Sequence, residues 1–144
     1  MSPEEKHEYI LKLDEELLLG GSIISEWSAF LVRDASDAYC SGANLAAILA
    51  SQAGMECHLR YEYFCESKTK LGFFELIEQS PIPTALKTDL HKIRRYRNKW
   101  VHVNDPTADE DLLQRPEKYE AELEKMAKFS IRAMMHVIYL EQWV

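Results

Sequence analysis

Cysteine is scarce in this chain of 144 residues, and Cys40, Cys57 and Cys65 are odd in number and too widely spaced for a disulfide framework or a CxxC metal site. All three fall in segments of helical pattern and read as buried, reduced thiols. Long apolar runs are missing as well: nothing approaches the roughly 18 consecutive apolar residues of a membrane span. The opening MSPEEKHEYILKLDEELLLGG is acidic and amphipathic, without the basic and continuously apolar regions of a secretory signal. A cytoplasmic protein without membrane association is the expectation. Strand alternation, internal repeats and low-complexity tracts are absent too, which argues against β and solenoid architectures. His7-Glu8 starts like a zinc-binding HExxH helix, but Leu11 occupies the place of the second histidine, so no metal or cofactor is expected.

What remains is an ordinary globular composition, 47% apolar and 28% charged, with enough length for a single core. Basic residues are the minority, 17 against 24 acids, giving a net charge of -7. Such a balance opposes broad coating of nucleic acid, which depends on neutralising phosphates. The distribution is uneven, however. Residues 87 to 99 hold six Lys/Arg against one Asp, while 104 to 124 hold eight acids against two bases. An acidic body with one basic strip suits a small phosphate-containing site or an anionic partner.

Helical punctuation runs the length of the chain. Ser2-Pro3-Glu4-Glu5 is a capping-box start, Ile10, Leu13 and Leu17 form an apolar side, and Gly20-Gly21 stops this accessory helix of residues 1–21. Ser22 is placed to cap a second helix with Ile23, Trp27, Phe30 and Leu31 at core spacing, ending near Ser41-Gly42. From Asn44 to about Glu66 apolar residues spread over more than one face, with Ala46, Ala50, Ala53, Cys57 and Phe64 as one stripe, so a central buried helix is expected. A short helix over Phe73 to Gln79 precedes Ser80-Pro81-Ile82-Pro83, and Thr84 is placed to cap the next long helix. Thr107 to Glu110 offers a further capping box. Pro116 opens a last helix, with Tyr119, Leu123, Met126, Ser130, Ala133, Val137 and Leu140 toward the core, running close to Val144. These elements predict an all-α, up-and-down bundle of four or five main helices in one domain spanning 1–144.

Chemistry concentrates in KTDLHKIRRYRNKWVH, Lys87 to His102. At about 100° per residue, Leu86, Leu90, Ile93 and Trp100 share a face, and Arg97 falls in the middle of it. A guanidinium there needs a carboxylate, a carbonyl, a ligand phosphate or a second subunit. Glu56, at the margin of the central helix stripe, is the first acid to test as its partner. His102, five residues on, is the side chain suited to proton transfer near neutral pH. Five helical steps turn it about 140° from Arg97, so it must leave the regular helix or meet the arginine of another subunit.

Arg97-Asn98-Lys99-Trp100-Val101-His102 fits Arg-x4-His with a polar Asn after the arginine, late in the third major helix of a small bundle. With the break at Asn104-Asp105-Pro106 and an alanine-rich helix upstream, this combination resembles the HEPN superfamily, over roughly residues 22 to 143. Arg95 makes an Arg-x6-His spacing instead, but lacks the following Asn and the apolar face. The resemblance implies a metal-independent endoribonuclease of toxin, antiphage or RNA-processing systems, acting as a homodimer, with Arg97 and His102 catalytic and Asn98 supporting them. An antitoxin or a larger defence-system protein is the partner it implies. One subset carries a modifiable tyrosine two residues after the histidine. Asn104 stands there in this chain.

The residues support the same chemistry independently. Cleavage of RNA by its own 2'-hydroxyl needs a base, an acid and positive charge on the phosphorane between them. His102 can be the base or the acid, and Arg97 offers a planar fork of donors to phosphate oxygens. One imidazole cannot serve both sides of the phosphorus, which a two-fold dimer would remedy. Arg94, Arg95 and Lys99 are candidate RNA contacts. His91 and His136 read as ordinary surface or core histidines, and Trp27, Trp100 and Trp143 as packing anchors, with Trp100, inside the motif, the one candidate for base stacking. The competing expectation is a non-catalytic helical module, partnering a larger enzyme, in which Arg97 and His102 stabilise an interface.

Overall fold

A computed structural model describes residues 1–143, so Val144 lies outside the described residues. Seven helices follow one another: α1 (Pro3–Leu17), α2 (Glu26–Ser41), α3 (Asn44–Phe64), α4 (Phe73–Gln79), α5 (Thr84–Val101), α6 (Glu110–Gln114) and α7 (Pro116–Ile138). Among the described residues none is long and apolar enough to cross a membrane.

Cross-helix pairs fix the directions of the five long helices. The Met1 ammonium lies 3.5 Å from Glu124, and Tyr139 Oη donates to Asp14 Oδ1 at 2.5 Å, so α1 runs parallel to α7. Gly54 faces Met134 and Tyr63 faces Glu141, so α3 is parallel to α7 as well. Lys92 sits over Phe129 while Lys99 meets Glu122, which makes α5 antiparallel to it. For α2, Ser25 lies beside Cys57 and Tyr39 beside Lys6, so this helix opposes both its neighbours. The chain therefore alternates direction through α1, α2, α3, α5 and α7.

The core lies where α3 and α7 meet, closed by α2 on one side and by α4 and α5 on the other. Met126, Ser130, Ala133 and Val137 of α7 are buried as their spacing predicts, while Tyr119, Leu123 and Leu140 are half-buried. On α3 the buried face is Ala47, Ile48, Ser51, Met55, His58 and Leu59. That is one position off the alanine stripe: Ala46 is exposed, and Ala50, Ala53, Cys57 and Phe64 are half-buried. Cys40 is also half-buried and Cys65 is exposed, so none of the three thiols is fully buried.

Caps decide where helices begin. Ser2 and Glu5 form the expected reciprocal box. The cap of α2 is Ser25 rather than Ser22, because Ser22 Oγ is committed to the Ile138 carbonyl at 2.8 Å. Gly42, with φ of 85°, ends α2 in the left-handed region that a side chain disfavours. Thr84 is the first helical residue of α5, after Pro83, and gives no side-chain cap. Thr107 likewise does not cap α6. It donates through its N–H and hydroxyl to Asp105 Oδ1, at 3.1 and 2.6 Å, which holds the Asp105 carboxyl below its ordinary value.

Helix α7 ends at Ile138, short of the expected run toward Val144, because residues 139–143 turn back to clasp the α1–α2 connection. Gln142 accepts from the N–H groups of Leu19 and Gly20 and donates to the carbonyls of Leu17 and Tyr139. Its amide is thus fully used in closing the C-terminus of α1. Gly21 and Trp143 exchange two backbone hydrogen bonds, at 2.8 and 2.9 Å, and a Cβ on Gly21 would lie 2.1 Å from the Trp143 ring. Gly21→Ala should therefore unseat the clasp, costing about 1–2 kcal/mol as a lowered urea midpoint. An unchanged midpoint would mean that the clasp adds nothing to stability.

Burial also creates a pH dependence. The His58 ring is 1% exposed, its Nδ1 has no partner, and desolvation holds its pKa below the ordinary histidine value. A depressed histidine pKa means that the unfolded chain binds more protons between the folded value and about 6.5, so stability falls as pH drops through that window. His136 is depressed too, by burial and then by Arg132. We expect the urea midpoint to fall from pH 7 to pH 5, and His58→Gln to reduce that fall. A fall of the same size in the variant would remove His58 from the account.

Candidate functional site

The end of α5 carries the motif. Leu86, Leu90 and Ile93 are buried and anchor the first three turns, and the helix emerges from the core as it reaches Tyr96 and Arg97, both half-buried. Arg97 Nη1 donates to Asn98 Oδ1 at 3.3 Å. None of the ion pairs among the described residues includes Arg97. Glu56, the expected partner, instead accepts from Gln52 Nε2 at 3.1 Å, one turn away on α3. The remaining guanidinium donors meet no carboxylate among the described residues.

Asn98 ties the motif together. Its side-chain oxygen serves Arg97, which leaves its amide N–H groups free, and its backbone carbonyl accepts from the His102 N–H at 2.9 Å. His102 caps α5 with φ of -118° and ψ of 54°, so it has left regular helical geometry, and its side chain is exposed. No hydrogen bond joins its ring to Arg97 within the protomer among the described residues. The segment after it, residues 103–108, is exposed and pinned by the Asp105–Thr107 turn.

The other basic residues of α5 divide sharply. Arg94 Nε donates to His91 Nδ1 at 3.2 Å, and its guanidinium lies 5.2 Å from the centre of the Phe74 ring. His91 must then carry its proton on Nε2, which faces Glu78 Oε1 at 2.6 Å. Arg94 and His91 together fasten α4 to α5. Lys99 Nζ meets Glu122 at 3.4 Å and stands over the rings of Tyr96 and Tyr119. Arg95 is exposed and enters no ion pair among the described residues. Of Arg94, Arg95 and Lys99, only Arg95 is thus unengaged.

Beside Arg97 lie two buried polar ends. Tyr96 Oη and Trp100 Nε1 are turned toward each other without a well-formed hydrogen bond, Glu122 lies beside the Tyr96 hydroxyl, and burial pushes that hydroxyl above its ordinary value. Trp100 packs edge-on against Tyr119, with ring centres 6.2 Å apart. On the far side, Tyr119 donates to Asp111 Oδ2, and that bond with Arg115 holds the Asp111 carboxyl down at about 2. Aromatic spacing alone marks Tyr96, Trp100 and Tyr119 as packing. Their polar ends become visible only when α5 and α7 are brought together.

Among the described residues no group of three or more His, Cys, Asp or Glu is arranged to hold a metal ion. No protein-family model, curated protein or solved structure matches this chain.

Proposed function

We propose that this chain is a metal-independent endoribonuclease of HEPN type, acting as a homodimer in a toxin or antiphage setting. The observation that carries the reading is the end of α5, where a half-buried arginine, bonded to Asn98 and with no acid partner among the described residues, precedes an exposed histidine that ends the helix. An arginine in that state retains donors for phosphate oxygens, and burial strengthens their pull on developing charge.

In the reaction proposed, one His102 takes the proton from the ribose 2'-hydroxyl as its oxygen attacks phosphorus. Arg97 donors and the Asn98 amide face the phosphorane oxygens. The His102 of a second copy protonates the departing 5'-oxygen, so the P–O5' bond breaks as the new P–O2' bond forms. The products are a 2',3'-cyclic phosphate and a 5'-hydroxyl. Each imidazole ends with the protonation state the other began with, and solvent exchange restores both.

The test is incubation of the purified chain with single-stranded RNA in EDTA, with end-group analysis of the fragments. Cyclic phosphate and 5'-hydroxyl ends are expected. Loss of cleavage on chelation, or 5'-phosphate ends, would remove the proposal.

One observation favours the second reading, a non-catalytic module that partners a larger enzyme. Ile23, Trp27 and Phe30 lie at core spacing yet are exposed, Trp27 by 79%. An apolar strip of that kind suits a protein contact. If the chain cleaves no RNA in any partner state and Trp27→Ser abolishes capture of a partner, that reading replaces the first.

A further inference from the structure

Away from the motif, the face where α1, α5 and α7 meet holds a groove of about 200 Å³ lined by Tyr9, Lys92, Lys125, Lys128, Phe129 and Arg132. Lys92 stands 4.8 Å from the centre of the Phe129 ring and Lys128 4.7 Å from that of Tyr9. None of these four cations enters an ion pair or a side-chain hydrogen bond among the described residues. Glu16 reaches Tyr9 at one edge, and Asp89 reaches His136 beyond Arg132 at another. In a chain of net charge -7, acids abound, yet four cations are gathered here without one opposite each. Mutual repulsion makes such clustering unfavourable in isolation, and an anionic occupant relieves it.

The shape narrows the occupant. Lys125, Lys128 and Arg132 are strung over about 10 Å of helix axis instead of converging on one point, which suits a polyanionic strand over a lone phosphate. Aromatic rings interleaved with cations are the pattern that holds single-stranded nucleic acid, through base stacking and backbone neutralisation together. From Lys92, α5 runs about 15 Å further to His102. The groove and the motif thus share one helix, within reach of a short single strand that passes round α5 between them.

We infer that the α1–α5–α7 groove, through Lys92, Lys125, Lys128 and Arg132, holds the phosphodiester backbone of the single-stranded RNA whose cleavage is proposed at Arg97 and His102. The inference rests on the ribonuclease reading for the identity of the strand. It moves the main RNA contacts from Arg94 and Lys99, which are engaged elsewhere, to α7.

The experiment measures fluorescence anisotropy of a short labelled single-stranded RNA with the full chain carrying His102→Ala, so that binding is read without cleavage. Adding Lys125→Gln, Lys128→Gln and Arg132→Gln should weaken binding at least about tenfold, and make the slope of log affinity against log salt shallower by about 2. All three side chains are exposed, and circular dichroism checks that the variant folds. Lys68→Gln with Lys70→Gln, in the α3–α4 connection, should leave affinity unchanged. Equal binding by the triple variant overturns the inference, as does a chain that binds an acidic peptide but no RNA. If the triple variant loses binding while the wild-type chain never cleaves, the groove stands and the nuclease reading fails. If cleavage depends on His102 but not on the groove, the reverse holds.

Discussion

Replacing His102 by alanine should lower single-turnover RNA cleavage about 10³-fold, within the range by which a positioned acid or base accelerates proton transfer. The exposed ring makes no hydrogen bond among the described residues, so its removal should leave the urea midpoint unchanged. Arg97→Met should reduce cleavage by about 10²- to 10³-fold through lost stabilisation of the phosphorane. Its effect on stability should be neutral or favourable by up to about 1 kcal/mol, since the half-buried guanidinium has no acid partner among the described residues and methionine keeps the apolar stem. A residue retained for structure would show the opposite split, with lower stability and unchanged activity per folded molecule. Cleavage that survives both substitutions sinks the catalytic assignment.

The proposed homodimer follows from the same chemistry. In a single protomer, one exposed imidazole serves one side of the phosphorus, and no other histidine belongs to this helix end: His7 is on α1, His91 is held between Glu78 and Arg94, and His58 is enclosed in the core. His136 lies on α7 in the groove region that Arg132 and Asp89 border, toward the other end of α5. A second copy is the economical source of the missing acid. Cleavage that scales with the monomer concentration, at dilutions where the chain does not self-associate, would require a different proton donor.

Where hydrophobic periodicity coincided with burial, the helices could be read from residue order alone. On α5 and α7 the large apolar side chains mark the core face, so Leu90, Ile93, Met126 and Val137 fall where their spacing predicts. On α2 and α3 size, not hydrophobicity, marks the seam. Their buried positions include Ser28, Ala35, Ala47, Ser51 and Gly54, whose small side chains carry little apolar signal, and Gly54 faces Leu31 and Val32, while Trp27 and Phe30 supply a strong periodic signal on the exposed face. Of the expected α2 stripe, Ile23, Trp27 and Phe30 are therefore exposed, and only Leu31 packs inward, toward Gly54. At the site, Arg97, Asn98 and His102 could be singled out because they fall within six residues at one helix end. Long-range polar choices were not: Glu56 prefers Gln52, Lys99 prefers Glu122, and Gln142 closes α1 from more than a hundred residues away. Several groups could satisfy each such donor, and only packing selects among them.

Ile93→Ala should produce the largest loss of stability, about 2–5 kcal/mol. Ile93 is wholly buried one turn before Arg97, within the core that joins α5 to the rest of the bundle. Truncation removes its transfer energy and leaves a cavity that helices anchored at Leu86 and Leu90 can close only in part. Domains of this size have about 5–15 kcal/mol of stability in total, so the variant should lose much of its margin and unfold at a clearly lower urea concentration. Its cleavage per folded molecule at low temperature should nonetheless stay within a few-fold of wild type, because Asn98 holds Arg97 and His102 through contacts that Ile93 does not supply. The pair Ile93→Ala and Arg97→Met thus separates support from chemistry on adjacent turns of one helix. An unchanged urea midpoint for Ile93→Ala would show that α5 is not seated in the core as described, and with it the placement of the motif would fail.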